Sequence, residues 1–364
     1  MRQNKSLVLV GAGHTHALAL LRLRSTDTAD VDITVIDPKD RAVYSGMLPG
    51  FIAGHYTRDE LDIDVEKLTG PLGGRFIRQA AKAIDPDEKL VVLADGSEVA
   101  YDVASLDVGI TSNMPSLPGF MEHGLPAKPL AAFAGLWDEY LHREASPKIA
   151  IIGGGIAGCE LAMAAAFALR QRGKTGAITV VDRGTILGNI PRSAKHKVRR
   201  GMTQYGITIV ENAAISRVTG LALELEQAEP IEANLVVGAA GATPHTWLHD
   251  TGLALDGGYV VVDPYLRSSD PSVFAVGDCA HLKATPIAKA GVYAVRQAPT
   301  LADNLMASLS GVALTTYEPQ SDYLKLIALG DKVAVAEKWG FSVTTKWAWW
   351  LKDHIDMKFM RGFA

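Results

Sequence analysis

Cysteine is nearly missing from this chain: two in 364 residues, Cys159 and Cys279. Two cannot build the disulfide framework of a small secreted domain, so a reducing compartment is the expectation. Cationic excess is missing too. Thirty-six Lys and Arg stand against forty Asp and Glu, a net charge of −4, which leaves no electrostatic footprint for a nucleic-acid partner. No run of roughly eighteen apolar residues occurs, which excludes a membrane-spanning helix. The apolar run at 7–10 follows Arg2 and Lys5 but breaks at once into Gly11-Ala12-Gly13-His14, too soon for a secretory signal. These absences point to a cytoplasmic protein, free or resting on the inner face of a membrane. Glycine, by contrast, is plentiful at 35 residues, which suggests many close backbone approaches. With 48% apolar residues and this length, the chain can bury two or three cores.

One unit appears twice, 142 positions apart (11 to 153). Leu7-Val8-Leu9-Val10 runs into Gly11-Ala12-Gly13, and a helical stretch follows from His16 to about Arg24. Ile149-Ala150-Ile151-Ile152 runs into Gly153-Gly154-Gly155-Ile156-Ala157-Gly158, then an alanine-rich helix to about Arg172. Four apolar residues ended by glycine suit a strand buried on both faces, as parallel sheets require. A second strand follows each helix, at 32–36 and 177–181, and closes on an acid, Asp37 and Asp182. Strand, glycine turn, helix, strand, acid is a dinucleotide-binding half. The expected fold is α/β: two Rossmann-like doubly wound domains with a small C-terminal segment. Pro115, Pro118 and Gly119 mark one crossing between domains, and Gly241-Ala242-Thr243-Pro244 a second. Asp95-Gly96 reads as the turn of a hairpin, and 272–278 as a buried strand ending on Gly277-Asp278.

Glycine serves a pyrophosphate by allowing the tight bend, the approach of backbone to phosphate, and a close helix–strand contact. Gly153, Gly155 and Gly158 fill all three positions. Asp182 is placed to accept from ribose hydroxyls and to repel a 2′-phosphate, favouring NADH; Arg183 beside it keeps NADPH open. The first turn has Gly11 and Gly13, but His16 stands at the third position. That asks for a wider helix–strand contact or a reoriented imidazole. Asp37 still occupies the ribose-binding place. His14 and His16 diverge at a helix start and no Cys or carboxylate cluster joins them, so they are read as packing beside the cofactor, with no metal.

Together the N-terminal GxGxx turn, the GGGxxGxE stretch at 153–160 and Phe274-Ala275-Val276-Gly277-Asp278 resemble the two-dinucleotide-binding-domain flavoproteins of the pyridine nucleotide-disulfide oxidoreductase superfamily. The resemblance implies FAD on the first unit and NAD(P)H on an inserted second. The division is then 1–118 and 245–312 for FAD, 119–244 for NAD(P)H, and 313–364 as an interface or membrane-surface segment. It places Gly277 and Asp278 at the flavin's ribityl and pyrophosphate, Gly241 in the return from the NAD unit, Glu160 near the nicotinamide and Pro49 beside the isoalloxazine. Tyr44-Ser45-Gly46-Met47-Leu48-Pro49-Gly50, Lys289-Ala290-Gly291-Val292-Tyr293-Ala294-Val295-Arg296-Gln297 and Trp350-Leu351-Lys352-Asp353-His354-Ile355-Asp356 look like one branch. That branch is the NADH-dehydrogenase-like module found alone or fused to selenide, water dikinase, with type II NADH dehydrogenases and sulfide:quinone oxidoreductases as broader relatives.

Disulfide reductases of this fold need two cysteines a few residues apart, and this chain offers no such pair, so hydride transfer without a protein thiol is expected. A helix over 286–304 would aim free N–H groups at the flavin. Gly291 permits that approach, and Lys289 adds charge there or stays solvated. Lys128, at the domain crossing, reaches the flavin or lies on the surface. Arg296 replaces one glutamine of the quinone-lining stretch in type II dehydrogenases, which suits a more polar acceptor equally. Trp347, Leu351, Ile355 and Phe359 form an apolar stripe at helical spacing, fit for a membrane surface or a protein interface. The reading is an FAD-dependent NAD(P)H dehydrogenase, monomer or homodimer, passing electrons to a quinone or other small acceptor. The alternative is a non-catalytic FAD-binding sensor linked to selenium metabolism.

Overall fold

The computed structural model describes residues 4–112, 114–127 and 130–363. Two five-stranded parallel sheets dominate it. The first runs in the order Val273–Ala275, Val103–Leu106, Lys5–Val10, Val31–Ile36, Arg75–Ile77. The second runs Gly124–Pro126, Leu235–Gly238, Lys148–Ile152, Ala177–Val181, Thr208–Val210. Each glycine-ended strand is therefore central in its sheet. Its apolar run is buried on both faces: Leu7, Val8, Leu9 and Val10 in one, Ile149, Ala150, Ile151 and Ile152 in the other.

Helix α1 (His14–Leu23) leaves the first turn two residues earlier than the sequence suggests. The short helix α2 (Leu48–Ile52) carries Pro49 at its start. Helix α3 (Ile156–Gln171) leaves the second turn, and the basic helix α4 (Arg192–Gln204) packs beside it. Helix α5 (Gly291–Ser310) lies along α1. It starts at Gly291 rather than near 286. The preceding segment folds back because the Lys289 ammonium donates to the Ala280 carbonyl and sits over the Tyr259 ring.

The Asp95-Gly96 hairpin is present, pairing Leu90–Leu93 with Glu98–Ala100. The crossing segments meet side by side: Thr111–Ser112 pairs antiparallel with Ala242–Thr243, beside Gly241 at φ +68°. Beyond 313 a three-stranded antiparallel sheet (Lys325–Ala328, Ala334–Lys338, Phe341–Thr345) precedes helix α6 (Lys346–Arg361), whose N-terminus is capped by the Thr345 hydroxyl accepting from Ala348 N at 2.9 Å.

The expected stripe on α6 does not face the protein interior. Trp347 and Ile355 are exposed, while α6 turns Ala348, Lys352 and Asp356 inward. Polar groups win the inner face because each finds a partner there. Lys352 Nζ bonds Asp356 Oδ2 at 2.6 Å and the Gly46 carbonyl at 2.7 Å. Asp356 also accepts from Tyr44 Oη, and Asp353 from Tyr56 Oη at 2.8 Å. Satisfied in this way, buried charges are tolerated.

Candidate functional site

The two glycine turns correspond in their bonding. Gly11 N donates to Ile36 O and Gly153 N to Val181 O, both at 2.8 Å. The acids behave alike as well. Asp37 Oδ2 accepts from Ala12 N at 2.8 Å and Asp182 Oδ2 from Gly154 N at 2.6 Å, while their Oδ1 atoms accept from Lys39 N and Gly184 N. Each acid thus fixes its turn and keeps lone pairs for a ribose. Burial raises the Asp37 pKa, a shift opposed by those N–H groups. Gly11 and Gly153 sit at φ +88° and +112°, where glycine is needed.

At the third position the turns diverge. A Cβ on Gly158 would stand 1.9 Å from the Gly153 carbonyl oxygen, so only glycine lets α3 sit this close. In the first turn His16 meets the corresponding carbonyl with its ring. Its Nδ1 lies 2.6 Å from Gly11 O and its Nε2 2.8 Å from Ser105 Oγ. A carbonyl can only accept, so Nδ1 carries the proton and Nε2 accepts from the Ser105 hydroxyl. Complete burial lowers the His16 pKa to about 4, which keeps the ring neutral. Of the two geometries the sequence allows, the imidazole takes the second and turns in to bond the strand.

Gly277, at φ +66°, brings the end of the Val273–Ala275 strand onto the first turn, with Asp278 following. Its N–H donates to Gln297 Oε1 at 2.7 Å. The glutamine that matches the family's quinone stretch is therefore spent on holding this turn. Arg296 instead lines an open groove of about 500 Å³ with Val295, Pro299, Thr300, Tyr317 and Glu318. Gly291 opens α5 with space for a methyl group on its Cα and nothing within 4 Å of it, so the helix end is accessible. Lys289 is half-buried and turned to Ala280 and Tyr259. Burial lowers its pKa. His14 packs its ring edge-on to Tyr44 and Phe359. Lys128 lies outside the described residues.

Glu160 is not in the first turn of α3 and does not cap it. Its carboxylate reaches out of the second sheet's unit to accept from Ala328 N at 2.7 Å. Burial pushes its pKa up to about 7, against the pull of Lys352. Pro49 and Gly50 line a narrow cavity there with His55, Tyr56, Ala328, Gly330, Trp349 and Lys352. Sequence reasoning missed this polar cluster as a site, although Tyr44, Lys352, Asp353 and Asp356 all stand in the stretches that carry the branch resemblance. Cys159 and Cys279 are buried free thiols, with pKa values pushed up to about 12 by desolvation. Neither is poised as a nucleophile.

Two parallel sheets, each with a glycine turn and an acid closing the neighbouring strand, are a doubled dinucleotide-binding architecture, and the family match makes the chain a flavin- and nicotinamide-dependent oxidoreductase that binds FAD and NAD(H). The chain belongs to the pyridine nucleotide-disulphide oxidoreductase family, whose model matches residues 5–304. It is 27% identical over 330 residues to the NADH dehydrogenase-like protein YutJ of Bacillus subtilis, covering 87% of each chain. It is 26% identical over 334 residues to the demethylphylloquinone reductase NdbB of Synechocystis, covering 86% of this chain and 81% of that one. NDH2 of Plasmodium falciparum, solved with NADH, matches with a TM-score of 0.80 at 13% identity over 98% of both chains.

The site fits its cofactors. At the second turn Gly155 faces open space while Gly158 admits the helix, the cradle a pyrophosphate needs. At the first, Gly11 at φ +88° makes the same bend, and Asp37 closes the neighbouring strand with its Oδ2 on Ala12 N, as Asp182 does on Gly154 N.

Proposed function

We propose that this protein oxidises NADH on the second sheet and delivers the electrons, through FAD on the first, to a quinone or another small acceptor. The doubled turn-and-acid geometry carries the reading. On this reading 1–118 and 245–312 hold FAD, 119–244 holds NADH, and 313–364 is an interface or membrane-surface segment. FAD, when bound, supplies the two-electron chemistry between nicotinamide and acceptor. The chain's residues do the rest. Asp182 accepts from the ribose hydroxyls and disfavours a 2′-phosphate. The N–H groups opening α5 at Gly291, Asp278 and Pro49 would hold the flavin, with Lys289 close by at Ala280 and Tyr259. Glu160, its pKa near 7, can hold or release a proton between nicotinamide and acceptor. A quinone is favoured over a polar acceptor by the likeness to NdbB.

The test is anaerobic titration of the yellow protein with NADH and separately NADPH. NADH is expected to bleach the flavin band within the mixing time, with NADPH at least ~10-fold weaker. A flavin that NADH leaves oxidised would sink the dehydrogenase.

No described helix is long and apolar enough to cross a membrane. The C-terminal segment nonetheless exposes Trp339, Phe341, Val343, Trp347, Trp350 and Ile355. Helix α4, with Arg192, His196 and Arg200 exposed, adjoins it through Ser193 Oγ to Gly340 O. Aromatics beside cations suit an anionic lipid surface, where a quinone would be met. The protein is expected to sediment with anionic vesicles, and Trp347→Ser with Trp350→Ser to weaken this ~10-fold or more. Unchanged sedimentation of the double variant would assign the face to a protein partner.

A further inference from the structure

Among the described residues, one carboxylate lies between the two glycine turns of the first site. Asp107 follows the Val103–Leu106 strand, 3% exposed. Its Oδ2 accepts from His16 N at 3.0 Å, so a resident anion already caps the start of α1. A Cβ on Gly13 would stand 2.2 Å from its Cγ, and one on Gly277 2.4 Å from its Oδ1. Both glycines are thus required by Asp107 itself. The second turn has no such group: there the helix is admitted by Gly158, and among the described contacts no acid from the Leu235–Gly238 strand enters it.

The charges around Asp107 do not neutralise it. From α1 come the Thr15 and His16 N–H groups and the His16 ring, which is neutral. From the strand below comes the Ser105 hydroxyl, bonded to His16. From the 277–279 turn come Asp278, which repels it, and Cys279, a protonated thiol. From ahead of α5 comes Lys289, whose ammonium is directed at Ala280. Gln297 of α5 is committed to Gly277. Burial, with the repulsion of Asp278 added to it, raises the carboxyl to about 7, against the His16 N–H and the N–H and hydroxyl of Thr15.

We infer that Asp107 is a positioning residue of the FAD site whose proton is linked to the cofactor: FAD binds tightly when Asp107 is protonated, and less tightly when its carboxylate shares the start of α1 with the pyrophosphate. The inference rests on the assignment of FAD to the first turn. Two anions within one turn of a helix repel, so the diphosphate must raise the affinity of Asp107 for its proton, and deprotonation must weaken FAD by the same factor. The sign is fixed. Affinity is flat below the free carboxyl's pKa and falls as pH rises through it.

Serial dilution of FAD-loaded protein, with released FAD read by its fluorescence, gives the dissociation constant from pH 5.5 to 9. The expectation is ~10-fold or greater weakening between pH 6 and 8.5. Asp107→Asn should remove most of that slope and hold FAD at pH 8.5 about as tightly as the wild type does at pH 6. Asp107→Ala, which asks for no new contact, should flatten the slope as well. A pH-independent wild type would overturn the inference without recourse to a variant. So would a slope that survives in either variant, which would pass the titration to Asp278 or Asp37. A protein that takes up no FAD at any pH would instead overturn the assignment of the first turn.

Discussion

Gly158→Val is expected to give a protein that stays yellow but that NADH no longer reduces at a normal concentration. The Cβ of any side chain at 158 would stand 1.9 Å from the Gly153 carbonyl oxygen, and that neighbour is backbone, with no rotamer to yield. Helix α3 must therefore move off the Lys148–Ile152 strand by an ångström or more. The turn between them, which presents Gly154 N to Asp182 and the start of α3 to the pyrophosphate, goes with it. Misplacement on that scale costs ~100-fold in a positioned reaction. The first sheet is untouched, so flavin content by absorbance should stay near one per chain, while kcat/KM for NADH falls ~100-fold or more. Normal reduction by NADH would place the nicotinamide cofactor elsewhere.

Lys352→Met should produce the largest loss of stability among single changes in the C-terminal segment. Its ammonium, on a side chain 15% exposed, meets Asp356, itself 6% exposed, and the Gly46 carbonyl, and it is the cation that most stabilises the Glu160 carboxylate. Methionine fills the space and leaves two carboxylates without their counter-ion. Removing one partner of a buried pair costs about 3–5 kcal/mol. In a chain of this size that lowers the melting temperature by roughly 4–7 °C. The loss should be pH-dependent. A carboxyl whose folded pKa is raised favours the folded state below its unfolded pKa, and that support is lost as pH rises through the folded value. For Glu160 the wild-type window runs from its ordinary value of 4.5 to about 7; without Lys352 its upper edge moves higher, so the variant's deficit grows as pH rises above about 7. Thermal melts should therefore show the variant closest to wild type near pH 5 and furthest from it at pH 8. An equal deficit at both would mean that Lys352 acts through packing alone.

The duplicated unit is legible in the sequence because its rules are local. Four apolar residues, a glycine bend and a strand-closing acid are read within about thirty positions, and 7–37 and 149–182 both show them. Even the replacement of the third glycine by His16 reduces to a choice between two geometries. What stays hidden depends on partners far along the chain. Helical spacing sets Trp347 and Ile355 on an apolar stripe, but the inner face of α6 is decided by Tyr44 Oη, 312 residues from Asp356. The distance of Glu160 from the glycine turn is plain, yet Ala328 N determines where its carboxylate goes. The start of α5 falls five residues later than the pattern suggests because Lys289 binds back to Ala280, which no propensity records. Asp107 does carry a sequence signal: it directly follows the strand 103–106 as Asp37 and Asp182 follow theirs.

The paired crossing segments have an evolutionary corollary. Because the chain leaves the first sheet at Thr111–Ser112 and returns beside itself at Ala242–Thr243, everything between is spliced in at a single point. The host strands Val103–Leu106 and Val273–Ala275 are adjacent whatever that insert contains. A lineage could therefore exchange one inserted unit for another while the sheet that hosts it is inherited unchanged.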